Sequence, residues 1–224
     1  MSERPIFKPM PKGDVLVETI NVEFKWFSGF SVSQKQKSIE SLHKEAMRLK
    51  NLKKILEIST KSKEKVGVSA SAFNIKLRTK TGLHASVESF YQGSKVFKNR
   101  GPFIDLYKES AFNSKKDQRL KTSGDLKGFV FLNEEWGIDE HFYDWLYLNA
   151  LIQNKDIAEK IIEYDAFTDI EFNPKKSFNC QAYTAALFKA ATTRNINLNE
   201  IKSPSNFKEL FPKEKLLNFQ LDLF

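Results

Sequence analysis

The sequence predicts a single α+β domain, largely helical with a few short strands. Apolar residues recur at helical spacing over Ile39–Leu56 and again over Phe142–Ile152. Strict alternation marks Val22-Phe24-Trp26 and Phe73-Ile75-Leu77 as half-buried strands. With 224 residues and 41% hydrophobic content, the chain is long enough to bury a substantial core.

In chain order, the first strand carries Val22, Phe24 and Trp26 between Glu23 and Lys25 and stops at the Ser28-Gly29 turn. Ser33 followed by Gln36 has the form of a capping box, and Ile39, Leu42, Ala46, Leu49, Leu52 and Leu56 then make one helical face. Eight Lys or Arg against three Glu lie between Lys44 and Lys65. That face either follows a phosphate backbone, with Lys50, Lys53 and Lys54 as contacts, or is simply solvated. The second strand leads through Thr81-Gly82 into a helix that starts near Ser86. On it, Glu88, Gln92 and Lys95 stand at i, i+4 and i+7, within one narrow arc, whereas Val87, Phe90, Tyr91 and Phe97 fall elsewhere for burial. Either a carboxylate, an amide and an amine converge there, or the stripe is a solvated face with a modest Glu–Lys pairing.

Residues 98–125 read as short helices and loop around Phe103, Leu106 and Phe112. Leu126–Leu132 reads as a buried strand, and Asp139 as the cap of a helix with Phe142, Trp145, Leu148 and Ile152 on one face. Asn154 opens a helix to about Ile162, Ile170 and Phe172 suggest a short strand, Pro174–Ser177 a turn, and Ala182–Ala191 a closely packing small-residue helix. The apolar tail, with Leu216, Leu217, Phe219, Leu221, Leu223 and Phe224, is expected to dock back as helix then strand. Residues 1–69 thus supply an N-terminal strand and basic helix to the same domain, 70–196 its core, and 197–224 the tail.

Thirty of the 36 basic residues are Lys and the net charge is +8, so the surface attracts polyanions, nucleic acid first among them. One cysteine, Cys180, forms no internal disulfide, and with His43, His84 and His141 scattered there is no metal-ligand spacing. No metal or cofactor is expected. Met1–Lys12 is not an apolar leader and no run approaches the ~20 apolar residues that span a bilayer, which points to the cytoplasm.

Three segments together resemble the NADAR family, named for its association with NAD and ADP-ribose. They are Ser71-Ala72-Phe73-Asn74, the helix Ser86-Val87-Glu88-Ser89-Phe90-Tyr91-Gln92-Gly93-Ser94-Lys95, and Tyr164-Asp165-Ala166-Phe167-Thr168-Asp169 continuing to Asn179. The helix is similar to the family's Ser-x-Glu-x-x-x-Gln-x-x-Lys motif. Trp145-Leu146-Tyr147-Leu148-Asn149-Ala150-Leu151 lies between the motifs in matching order. The resemblance implies a NADAR-like (YbiA-like) fold. In YbiA-like members the last loop is glycine-rich, whereas here it reads Ile170-Glu171-Phe172-Asn173-Pro174-Lys175-Lys176, so Lys175 and Lys176 are expected to supply charge to a pyrophosphate in place of a backbone cradle. With Phe27-Ser28-Gly29-Phe30-Ser31 and the residues to Lys37, the chain resembles the branch of antitoxins partnered with DarT-type DNA ADP-ribosyltransferase toxins. What this implies is removal of ADP-ribose from guanine in DNA, with ADP-ribosylated DNA as substrate and the toxin as functional partner.

That reaction needs a carboxylate, a water or nucleophile, and a proton source, because cleaving a ribosyl C–N bond builds positive charge at the anomeric carbon and negative charge on nitrogen. Glu88 is the first choice of carboxylate and Asp169 or Asp165 the second acid. Gln92, Asn74 and Asn179 are expected to bind substrate, and Trp136 and Phe167 to stack on bases. Lys35, Lys37 and Lys95 are candidates for an amine attacking the opened ribose, Lys35 being favoured for its place in the segment that sets this branch apart. The competing readings are an N-glycosidase acting on a riboflavin-pathway metabolite and a non-catalytic module that binds ADP-ribose. The basic surface disfavours the first and the set of acids the second.

Overall fold

The computed structural model describes residues 1–174 and 179–212; Lys175, Lys176, Ser177 and the apolar tail from Leu216 lie outside the described residues. The class is α+β, as the two periodicities require. β1 (Ser2–Pro9) and β2 (Val17–Phe24) form an antiparallel hairpin in which Ser2 faces Phe24 and Pro9 faces Val17. Only β2 is legible in sequence, because Pro5 and Pro9 break the strand signal of β1. α1 (Val32–Lys50) begins two residues earlier than the Ser33 box implies: Ser31 Oγ accepts the Gln34 N–H at 3.3 Å, and Asn51, at φ 51°, ends the helix. Leu52 and Leu56 therefore leave the expected helical face, and Leu56 lies in β3 (Ile55–Glu57), whose three residues are all buried. A strand buried on both faces has no alternation to distinguish it from a helix.

α2 (Lys65–Ala70) follows, then the hairpin of β4 (Lys76–Arg78) with β5 (His84–Ser86) and α3 (Val87–Gly93). Ser86 Oγ accepts the Ser89 N–H at 3.0 Å, and the N–H groups of Val87 and Glu88 donate to Ile75 and Ala72 carbonyls, so the first turn is satisfied by the preceding loop. Because α3 ends at Gly93, Lys95 is not on the helix and opens β6 (Lys95–Phe97). A 3-10 turn at Ile104–Lys108, α4 (Ala111–Lys116) and α5 (Arg119–Thr122) fill the connection read as short helices.

β7 (Leu126–Phe131) turns at Leu132 and Asn133, both at positive φ, into β8 (Glu134–Trp136). α6 (Phe142–Gln153) starts at His141, whose φ of 57° makes the bend, and not at Asp139. α7 (Lys155–Ile161) follows Asn154 as expected. The short strand is β9 (Ala166–Thr168) rather than Ile170–Phe172, where the Phe172 N–H closes a turn on the Asp169 carbonyl. α8 (Gln181–Thr193) and, after a 3-10 turn, α9 (Pro204–Leu210) complete the described elements.

The residues gather into two compact units. The first joins Met1–Ser71 to Lys155–Leu198 and holds a four-stranded sheet in the order β2-β1-β9-β3. Neighbouring strands are antiparallel except β3 and β9. Ile6, Ile20, Val22 and Phe24 pack with Ile39, Leu42 and Ala46 of α1 on one face. The next residue in the strand, Phe7, points to the opposite face and meets Tyr183 of α8 edge-on at 5.7 Å. Arg194 fastens the hairpin loop, donating from Nε to the Met10 carbonyl and from a terminal nitrogen to the Gly13 carbonyl, both at 2.9 Å, and also to Val15.

The second unit comprises Ala72–Asn154 and the described residues from Asn199 onward. Its sheet runs β6-β7-β8, and its core is aromatic: Phe90 lies 5.2 Å from Phe131, and Trp136 5.1 Å from Trp145. α6 is buried over Phe142–Leu151, so it has little amphipathic character to read. Gly93 permits a close approach there, since a Cβ on it would stand 2.6 Å from the Tyr107 ring and 2.9 Å from the Phe103 carbonyl oxygen. Gly93→Ala is expected to lower stability by about 1–3 kcal/mol, as overpacking does, in urea unfolding followed by fluorescence. An unchanged midpoint would show that Tyr107 moves freely. Among the described residues, no helix is long and apolar enough to cross a membrane.

Candidate active site

The sequence-derived residues fall into two constellations, one in each unit. In the second unit, α3 presents Glu88 and Gln92 one turn apart, and Gln92 Nε2 donates to Glu88 Oε1 at 2.9 Å. Both are buried, at 5% and 6% exposure, so this is not a solvated face. Lys115 of α4, which no spacing rule selects, brings its ammonium to 3.7 Å from Glu88 Oε1. Lys95 approaches from β6: burial pulls its pKa down to about 8, with Glu88 pushing it up and Lys115 pushing it down. Convergence of carboxylate, amide and amine is thus present, although a strand and not a third helical turn delivers the lysine. Gln92 Oε1 is buried and accepts no hydrogen bond within the described residues, an acceptor suited to a hydroxyl or a base N–H. Asn74 lies exposed in the turn before β4.

In the first unit, Lys35 sits in the first turn of α1 with a side chain only 15% exposed. Its ammonium is 3.2 Å from Glu171 Oε1 and 4.8 Å from the centre of the Trp26 ring. The Arg4 guanidinium lies 5.5 Å from the same ring. Asp169 accepts the Glu171 N–H at 3.0 Å and the Gln181 amide at 2.8 Å. Burial, followed by the nearby charge of Glu57, pushes its pKa up to about 7. Glu57 is itself raised by burial and accepts from Ile170 N–H and Thr168 Oγ1 at 2.9 and 2.7 Å. His43 Nε2 shares a 2.8 Å hydrogen bond with that hydroxyl, and burial pulls His43 down to about 4, leaving it neutral at pH 7. Glu171 links Lys35 to Asp169, pairing with the first through its side chain and donating to the second through its N–H, and Arg4, Trp26, Glu57 and Glu171 are neighbours missed in sequence. Trp26 ends the alternation there, but nothing in the pattern marks the other three.

A carboxyl whose folded pKa is raised keeps its proton in the folded state after the unfolded chain has lost it. Its contribution to stability is therefore lost as pH rises from the usual carboxylate range, near 4, to about 7. Asp169→Asn should raise the melting temperature relative to the parent more at pH 8 than at pH 5. His43 acts in the opposite direction between about 4 and 6.5, so the comparison is made with the parent at each pH. An equal gain at both pH values would show that Asp169 is not held protonated.

The remaining candidates have structural partners. Asp165 Oδ2 accepts the N–H groups of Lys53 and Lys54 at 2.8 and 2.9 Å, so it braces a loop. Burial tends to raise its pKa, but these amides with Lys189 and Lys53 outweigh that and hold the carboxyl below its usual range. Trp136 and Phe167, expected to stack on bases, are core residues at 3% and 0% exposure, and one face of Trp136 carries the Lys208 ammonium at 4.6 Å. Lys50 and Lys53 border a cavity, while Lys54 turns to Glu163 at 3.6 Å. Asn179 is half-buried just before α8. No group of His, Cys, Asp and Glu able to hold a metal occurs among the described residues.

The comparison with known families agrees with the likeness carried by the motifs. The model of the DarT1-associated NADAR antitoxin family matches residues 2–220, nearly the whole chain. The chain belongs to this family. No curated protein matches it.

Proposed function

We propose that the chain removes ADP-ribose from guanine bases in DNA and thereby counteracts a DarT-type ADP-ribosyltransferase. The observation that carries the enzymatic reading is a half-enclosed lysine amine, Lys35, ion-paired to Glu171 beside Asp169, an acid that keeps its proton to about neutral pH. Amine, base and acid are what transfer of a ribosyl group through an imine requires.

In the proposed chemistry the C1–O4′ bond breaks as the glycosidic N–H proton passes to O4′, leaving an imine between C1 and guanine. Glu171 takes a proton from Lys35, whose amine adds to that C1. The C1–N bond to guanine breaks, and the departing amine takes its proton from Asp169. Water then adds to the imine joining Lys35 and C1, which releases ADP-ribose and restores the lysine. Within the second unit, Glu88 is proposed as an acid-base carboxylate, with Gln92 Oε1 as an acceptor for a substrate hydroxyl. Lys175 and Lys176 are proposed to face the pyrophosphate. The test is incubation with guanine-ADP-ribosylated DNA and mass detection of free ADP-ribose. Binding without release would make the chain a recognition module, and release only from a small N-glycoside would make it a metabolite hydrolase.

A further inference from the structure

We propose that the first unit carries a nucleotide-phosphate seat, a cavity of about 560 Å³ bordered by Lys8, Lys50, Lys53 and Lys189, which holds a nucleotide of a DNA strand. This rests on the reading that DNA is the substrate, and extends it to a place that the reacting groups do not occupy.

The lysines come from four positions: the end of β1, the last residue of α1, the loop after it, and the middle of α8. Among the described residues that line the cavity, one is acidic. That acid, Asp165, accepts two backbone N–H groups and sits within the field of Lys189 and Lys53, so it fixes the loop of Lys53 and offsets one of the four positive charges, leaving the lysines in excess. Lys189 donates to the Tyr164 carbonyl, and burial lowers its pKa while the Asp165 charge raises it. Pro9, Pro11 and Leu52 give the cavity apolar walls. Cations over an apolar wall, in a volume within the ~300–1,000 Å³ of small-molecule sites, suit a phosphate attached to a sugar and base.

The test uses the full-length protein and a short, fluorescently labelled, unmodified single-stranded DNA, with anisotropy measured across a salt series. Lys8→Gln combined with Lys53→Gln is expected to weaken binding about tenfold at low salt and to flatten the log–log salt slope by about 1.4, at ~0.7 for each phosphate no longer neutralised. Lys8 gives up only a half-exposed pair with Glu18 at 3.6 Å, so the melting temperature should hold. Lys54→Gln removes one charge, as each half of the double variant does, but from a side chain outside the cavity, and should leave affinity and slope unchanged. An equal effect of Lys54→Gln, or an unaltered slope in the double variant, would overturn the seat in favour of diffuse attraction. A 5′-mononucleotide binding as tightly as the strand would overturn its assignment to polymer. The DNA carries no ADP-ribose, so the result stands whether or not the hydrolase assay succeeds.

Discussion

Glu88→Gln is expected to lower turnover of guanine-ADP-ribosylated DNA by at least ~100-fold, the usual loss for a group acting as acid or base. The fold should survive. The amide is nearly isosteric, its oxygen can still accept from Gln92, and the ion pair it gives up is to Lys115, whose side chain is 57% exposed, where such a pair contributes little. A second readout comes from Lys95, whose pKa Glu88 holds up. In the variant, the pH midpoint for amine labelling of Lys95 should fall below about 8. Near-parental turnover together with that shift would remove Glu88 from the reaction while confirming its influence on Lys95.

Lys35→Arg is expected to abolish covalent trapping. Borohydride added during turnover should reduce the imine and leave an ADP-ribose adduct on the Lys35 peptide, and a guanidinium is too poor a nucleophile to form one. Arginine can keep the pairing to Glu171 and the stacking on Trp26, so absence of trapping with retained binding separates chemistry from positioning. An adduct on the Lys95 peptide would move the nucleophile to the second unit, where the lowered pKa of that amine makes it reactive. Absence of any adduct would leave water as the direct attacking group.

What can be read from the sequence tracks how local each signal is. β2, α3, α7 and α8 follow from alternation, helical spacing, an asparagine start or a run of small residues, all carried within a few neighbouring residues. β1 and β3 are invisible for different reasons, prolines in one and burial of every residue, Glu57 included, in the other. The turn at Leu132-Asn133 has the left-handed geometry of a tight hairpin, but leucine seldom adopts it and so gives no warning. In the site, Glu88 with Gln92 is a one-turn relation and is legible. Helical spacing predicts the approach of Lys95 for the wrong reason, since α3 ends at Gly93 and Lys95 opens β6. The grouping of Lys35 with Glu171, and of Glu57 with Thr168, joins residues more than a hundred positions apart, which no spacing rule can bring together.

The strand order β2-β1-β9-β3 also sets a timetable for synthesis. The first hairpin can pair as soon as Phe24 is out of the ribosome, but its neighbour β9 arrives only with Phe167, and Arg194, which fastens the hairpin loop, arrives later still. During that interval one flank of β1 has no ladder partner and is open to pairing with another nascent chain. Hairpin formation takes microseconds, whereas translation through the intervening residues at ~5–20 per second takes several seconds, so the open edge persists because of protein production and not because of slow folding chemistry. The prolines that hide β1 from sequence reading are also poor partners for such an edge, and they protect the growing chain at the stage when it is most exposed to misassembly.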